Sequence, residues 1–243
     1  MIDGIKLLIK NPGFAGQLIQ NPIFDFVLKV SDSTAEIKDG KEAKYKGLTI
    51  RVYNSGVVII SGSLHKFKNN GLYNYDNFYM SEVIEVIHKW QKLFGFDLNT
   101  VKIENLEFGV NLIPPIPTKE VLKNIVNHKR EPFKHVSHPN SDYIVCVHQQ
   151  FIIKTYDKSK QYNQTSQLLR VEDKYLKMAE LNSIGINYLS DLLNHEIYMK
   201  LGQILIDTWN EILYIDQTVN IEKLTLKQRE DYKNWINPTG PEQ

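Results

Sequence analysis

A single cysteine, Cys146, stands in a chain of 243 residues, so no disulfide can close within it, and no zinc site can be built on several cysteines. That fits a reducing compartment. Neither sign of charge is in excess: 29 Lys and Arg face 28 Asp and Glu, a formal net charge of +1. Any attraction for nucleic acid must therefore come from local patches rather than from bulk charge. No run approaches the roughly 20 apolar residues of a membrane span. The opening Met-Ile-Asp-Gly-Ile-Lys-Leu-Leu-Ile-Lys lacks the basic stretch and long apolar core of a secretion signal. We expect a soluble, cytoplasmic protein with no membrane partner. There is no Gly-x-x-x-x-Gly-Lys-Ser/Thr loop, so the sequence carries no nucleotide-driven motor motif of that kind. No short-period repeat or low-complexity tract occurs.

What is present is a chain that is 42% hydrophobic, enough to bury a core. Residues 5–9, 23–30, 48–53 and 57–61 are short runs rich in Ile, Val and Leu, separated by turn residues, and read as strands. The charged stretch 31–46 reads as a mobile connection. From Ser81 the period changes: Val83, Ile84, Ile87, Trp90, Gln91 and Phe94 recur at three and four, with Gly95 just beyond, predicting a helix capped near Asn77 or Ser81. Residues 101–112 return to alternation, 118–127 predict a second helix, and 143–147 and 151–157 predict strands flanking His148-Gln149-Gln150. Residues 168–176 predict another strand. Residues 178–214 read as helical with a break at Gly185, and the polar tail from Thr225 reads as frayed. The pattern is α+β, with a central largely antiparallel sheet backed by helices and a helical C-terminal segment. We expect a core domain over 1–177, a helical segment over 178–224 and a tail over 225–243.

The period of two sorts three of these strands into an apolar row and a polar row. In 101–112 the polar row is Asn105, Glu107, Gly109 and Asn111. In 168–176 it is Arg170, Glu172 and Lys174, and in 151–158 it is Ile152, Lys154, Tyr156 and Lys158. Side by side, these rows would set carboxylates, amides, cations and a phenol on one face. Carboxylates with an amide suit a hard divalent cation. Lys and Arg hold phosphates and offset charge in a transition state. A tyrosine supplies an oxygen nucleophile for a covalent intermediate. The bland alternative is a solvated sheet face, with Arg170, Glu172 and Lys174 forming simple cross-strand ion pairs.

Four segments resemble rolling-circle replication initiators of the filamentous-phage and plasmid kind, especially those of Bacteroidetes mobile elements. They are the opening Met-Ile-Asp-Gly-Ile-Lys-Leu; Ser61-Gly62-Ser63-Leu64-His65-Lys66-Phe67; Asn105-Leu106-Glu107-Phe108-Gly109-Val110-Asn111-Leu112; and Ile153-Lys154-Thr155-Tyr156-Asp157-Lys158 followed by Leu168-Leu169-Arg170-Val171-Glu172. The resemblance covers roughly 1–195. It implies a relative of the HUH endonuclease fold and a tyrosine, Tyr156, that attacks a DNA phosphate. The products would be a 5′-phosphotyrosine link and a free 3′-hydroxyl. The chain departs from the pattern at Asn105, where the family usually has Arg, and at Glu107, where it usually has Asp. The paired histidines that name the HUH fold are absent.

On this reading Tyr156 is the nucleophile, with Lys154 and Lys158 two residues to either side, because a phenol of pKa ~10 needs a neighbouring cation. Lys158 offsets charge on the phosphate. Glu107 and Glu172 hold Mg²⁺ or Mn²⁺. Arg170 orients Glu172 or a phosphate, and Asn111 lies near the metal or the DNA. Lys154, Lys174, Asn105, His65 and Lys66 contact DNA. Tyr162 stands as a second nucleophile or base-stacking side chain. His148, in a hairpin turn, stands as a ligand or as a turn residue facing solvent. Trp90 and Trp209 fall at core spacing. The partner is single-stranded or hairpin origin DNA, with a host helicase. Two other readings remain: an origin-binding protein that does not cut, which Asn105 favours, and an interaction protein, which the near-neutral charge favours.

Overall fold

A computed structural model describes residues 2–30, 37–138, 141–162, 165–215 and 219–236. In chain order the elements begin with β1 (Ile2–Lys10), α1 (Pro12–Gln20), β2 (Val27–Val30), β3 (Ile37–Tyr45), β4 (Leu48–Val52) and β5 (Val57–Ser63). Next come α2 (Leu64–Lys68), α3 (Met80–Phe94), β6 (Lys102–Leu112), α4 (Thr118–Asn124), β7 (Ile125–His128), β8 (Glu131–Pro132) and β9 (Lys134–His138). Then follow β10 (Ser141–Val147), β11 (Phe151–Asp157), α5 (Lys158–Gln161), β12 (Leu169–Tyr175) and α6 (Ala179–Ser183). A 3₁₀ turn (Leu189–Leu193), α7 (His195–Asn210), β13 (Ile212–Tyr214) and α8 (Leu226–Ile236) complete the chain. It forms two compact units, 1–109 with 173–203 and 110–172 with 204–243.

In the first unit the strands run β2-β3-β4-β5-β1-β6. All registered pairs among them are antiparallel, including Leu7 opposite Ile60 and Ile5 opposite Leu106. Leu7, Ile50, Ile60 and Ile103 are fully buried beneath them. The helix α3 turns Val83, Val86, Ile87, Trp90 and Phe94 inward at helical spacing. Its first turn is tied by the Glu82 carboxylate, which accepts the Tyr79 N–H at 2.7 Å. Its end is made by Gly95 at φ 75°, a left-handed conformation that only glycine adopts without a steric penalty.

In the second unit the order is β12-β11-β10-β9, with a separate three-stranded sheet β13-β7-β8. The β10–β11 hairpin sets Tyr143 opposite Tyr156 and Cys146 opposite Ile153. Its core gathers Leu122, Ile144, Cys146, Ile153, Leu169 and Val171, with Trp209 packed against it. The α+β class and the largely antiparallel sheet are as the sequence predicted, and Trp90 and Trp209 serve packing. Among the described residues, no helix is long and apolar enough to cross a membrane.

Several local expectations are corrected. The stretch read as a mobile connection contains β3, whose charged residues are held by pairing with β2 and β4 rather than by apolar burial. Glu42 there is buried against Arg51 at 2.6 Å, while 31–36 lie outside the described residues. The helix α1 was hidden by its two glycines, yet Asn11 caps it by accepting the Phe14 N–H, and Pro12 suits its first turn. The strand expected over 23–30 begins only at Val27. The helix expected to reach 127 stops at Asn124, where the chain turns into β7. The helical stretch 178–214 is divided by Gly185 and ends in β13. The tail holds α8, which buries no side chain among its described residues.

Candidate functional site

In the second unit, β12 and β11 are neighbours, and their facing side chains meet. The Tyr156 hydroxyl donates to Glu172 Oε2 at 3.4 Å. Arg170 Nε donates to the same oxygen at 3.0 Å, and Arg170 Nη1 donates to Asn111 Oδ1 at 3.3 Å. Lys154 Nζ lies 3.8 Å from Glu172 Oε1 and 4.8 Å from the centre of the Tyr156 ring. Lys158 Nζ lies 5.8 Å from that ring centre. A phenol thus rests against an anchored carboxylate, with two ammonium groups over its ring.

The set is not a solvated surface. Tyr156, Arg170 and Glu172 are 7%, 5% and 3% exposed, and Lys158 is fully buried. A carboxylate removed from water is costly unless charged donors surround it, and Arg170 with Lys154 supplies them. Asp157 turns away to cap α5, accepting from the Ser159 and Lys160 N–H groups at 3.1 and 3.3 Å. Tyr162, the alternative nucleophile, ends α5, with its N–H bonded to the Ser159 carbonyl at 3.2 Å.

The first unit carries a polar cleft of about 400 Å³ lined by Asp3, Lys6, Ser63, Lys66, Asn74, Asn105, Glu107 and Lys174. Oxygens of Asp3 and Glu107 lie within 4.8 Å of each other. Asp3 is held by the Asn74 amide at 2.7 Å and by the Ser63 hydroxyl. Glu107 Oε2 lies 3.5 Å from Lys174 Nζ. Gly4 lets Glu107 lie close, since a Cβ there would meet Glu107 Cβ at 3.1 Å. Two carboxylates and two amides at the rim of such a cleft match the oxygen donors a hard divalent cation takes, and the lysines suit a phosphate.

Asp3 is the residue that sequence reasoning missed. Its signal was an acid in the same alternating row as Ile5 and Leu7, inside the first apolar run. A bulge between Ile2 and Ile5 accommodates it. Asn105 sits at the cleft, but its amide donates to the Leu176 carbonyl at 2.9 Å, a tie between strands. His65, expected beside Lys66 as a phosphate contact, is instead 5% exposed. Its Nε2 pairs with Asp76 at 2.6 Å, and its ring stacks on Phe78. His65 follows β5 at the start of α2, where helical geometry turns its ring inward while Lys66 lines the cleft.

His148 occupies the hairpin turn as expected, its N–H bonded to the Phe151 carbonyl at 2.9 Å. It does not simply face solvent: the ring stacks on Phe151, and Nε2 meets His128 Nδ1 at 2.8 Å. Burial holds both imidazoles below their usual pKa.

No protein family and no curated protein matches the chain. Among solved structures, it is similar to a rolling circle replication initiator protein from Geobacillus stearothermophilus. The identity is 10%, the TM-score 0.51, and the match covers 98% of this chain and 96% of that one. At that identity the likeness is one of fold.

Proposed function

We propose that the chain is a DNA-nicking and strand-transferring replication initiator acting at a plasmid or phage origin, with Tyr156 as nucleophile. The observation that carries this reading is the Tyr156 hydroxyl resting on Glu172 Oε2 at 3.4 Å, with Lys154 and Lys158 over the ring. The shared fold with a rolling circle initiator and the resemblance of the Tyr-Asp-Lys segment support it.

Tyr156 Oη attacks a phosphorus of origin DNA, and the P–O3′ bond breaks. The phenol proton passes toward Glu172, and the departing 3′-oxygen takes up a proton as a free hydroxyl. The result is a 5′-phosphotyrosine link and a 3′-end that primes synthesis. Attack by a later 3′-hydroxyl reverses the link and reseals the strand. Arg170 keeps the Glu172 carboxylate in place, and Lys154 and Lys158 offset negative charge on the phenolate and phosphate. Glu107, with Asp3 beside it in the first unit, would hold Mg²⁺ or Mn²⁺, which would polarise the phosphate. Lys66 and Lys174 are the phosphate contacts of the cleft. A host helicase supplies unwinding.

A second reading, an origin-binding protein that does not cut, draws on Asn105: its amide is engaged with Leu176 and does not replace the Arg of the resembled motif. One incubation separates the two. The full chain is mixed with Mn²⁺ and a pool of single-stranded and hairpin oligonucleotides, beside the Tyr156→Phe variant. A covalent adduct lost in the variant supports the nickase, and binding without any adduct supports the second reading.

A further inference from the structure

The second unit holds a cluster of side chains that the nicking reading does not use. His128 ends β7, Cys146 lies near the end of β10, and His148 follows one residue past that strand, where its ring comes to the same side as the Cys146 thiol. His128 Nδ1 and His148 Nε2 are 2.8 Å apart, and Cys146 Sγ is 3.3 Å from that same His148 nitrogen. The three ligand atoms all lie within 4.8 Å of one another. His128 and Cys146 are 1% and 0% exposed.

From this geometry we propose a zinc site formed by His128 Nδ1, Cys146 Sγ and His148 Nε2, with a fourth position for water. Tetrahedral Zn²⁺ with N at ~2.0–2.1 Å and S at ~2.3 Å separates two nitrogens by ~3.3 Å and nitrogen from sulfur by ~3.6 Å. The observed separations reach these values by opening about half an ångström and a few tenths, within the reach of small side-chain rotations. Imidazole and thiolate together favour zinc over the hard cations that carboxylates take.

The surroundings fix the ligands from outside. His128 Nε2 lies 3.1 Å from Glu211 Oε2, which Lys129 also holds at 3.0 Å. An imidazole whose far nitrogen donates to a carboxylate presents the lone pair of its other nitrogen to a metal. Here that nitrogen is Nδ1, the one aimed at His148. Phe151 stacks on the His148 ring at 4.7 Å between centres. Binding releases one proton, from the Cys146 thiol. The proton on His148 Nε2 moves to its Nδ1, and Zn–S and two Zn–N bonds form.

This site is separate from the nucleophile. Cys146 pairs with Ile153, whereas Tyr156 lies three residues further along β11 on the opposite face, about 10 Å away at ~3.4 Å per residue. It links β7 of the small sheet to the end of β10. The proposal does not depend on the nicking reading.

The test uses the full chain, stripped with a chelator and titrated with Co²⁺, then with Zn²⁺. A thiolate-to-cobalt charge-transfer band should saturate at one equivalent, and Zn²⁺ should bleach it. Cys146 is the single thiol, so the band reports this site alone. It should vanish in Cys146→Ser and in His148→Gln, the second change being at a half-buried turn where refolding is not at stake. Glu211→Gln should keep the band but weaken binding ~10–100-fold. No band in the unaltered chain, or a band that persists in Cys146→Ser, would overturn the proposal.

Discussion

Tyr156 and Glu172 stand 16 residues apart in the chain and meet across neighbouring strands, the phenol hydroxyl donating to the carboxylate at 3.4 Å. Both are buried, so the contact is a fixed pair rather than a passing encounter on a wet surface. This pairing gives the phenol a proton acceptor, and the lysines beside it give the phenolate a counter-charge.

Replacing that carboxylate while keeping its shape isolates its chemical role. Glu172→Gln should leave oligonucleotide binding intact and slow adduct formation on the order of 10²-fold, a loss typical of one electrostatic contributor. Single-turnover rates alongside binding isotherms check it, and an unchanged rate would remove Glu172 from the mechanism.

Arg170 anchors Glu172 and Asn111 together. Arg170→Met leaves a buried carboxylate short of its main partner, and should lower stability by about 3–5 kcal/mol, read by urea unfolding. The double variant Arg170→Met with Glu172→Met should recover most of that loss, because both charges go. If the two losses simply add, the pair is not coupled.

In the first unit, Gly4→Ala pushes a methyl against Glu107 Cβ, tighter than ordinary contact. The carboxylate should shift away from Asp3, and the Mn²⁺ concentration for half-maximal nicking should rise, with DNA binding unaltered. Glu107→Gln should raise it further. Equal Mn²⁺ dependence in all three proteins would contradict a cation role for Glu107.

Glu82 offers a pH test apart from the site. Burial raises its pKa, but the bonds from Lys68 and from the Tyr79 N–H outweigh burial and leave it lowered. A lowered carboxylate contributes stability above its unfolded pKa of ~4.3 and loses it as pH falls through the folded value. Glu82→Gln should therefore cost about 1 kcal/mol at neutral pH and almost nothing in acid, read by denaturant midpoints across pH.

Much of the arrangement was written in short-range pattern. Alternation in β6, β11 and β12 put Glu172, Arg170 and Tyr156 in polar rows, and these rows do meet. What alternation could not carry was burial: a polar row on a strand reads as a wet face until its partners are known. The histidine cluster needed β7, which lies at the end of what reads as a helix, to bring His128 to Cys146 and His148. Asp3 was obscured by a bulge that shifts the register of β1. The strand β3 was obscured because ladder bonds, rather than apolar side chains, hold it.

The most direct measurement is to trap the covalent product with Mn²⁺ and an oligonucleotide it cuts, digest it with nuclease and protease, and locate the nucleotide remnant by mass spectrometry. The remnant should sit on Tyr156, within the peptide that contains Thr155 and Asp157. A remnant on Tyr162 or any other residue, or an adduct formed by Tyr156→Phe, would contradict the account.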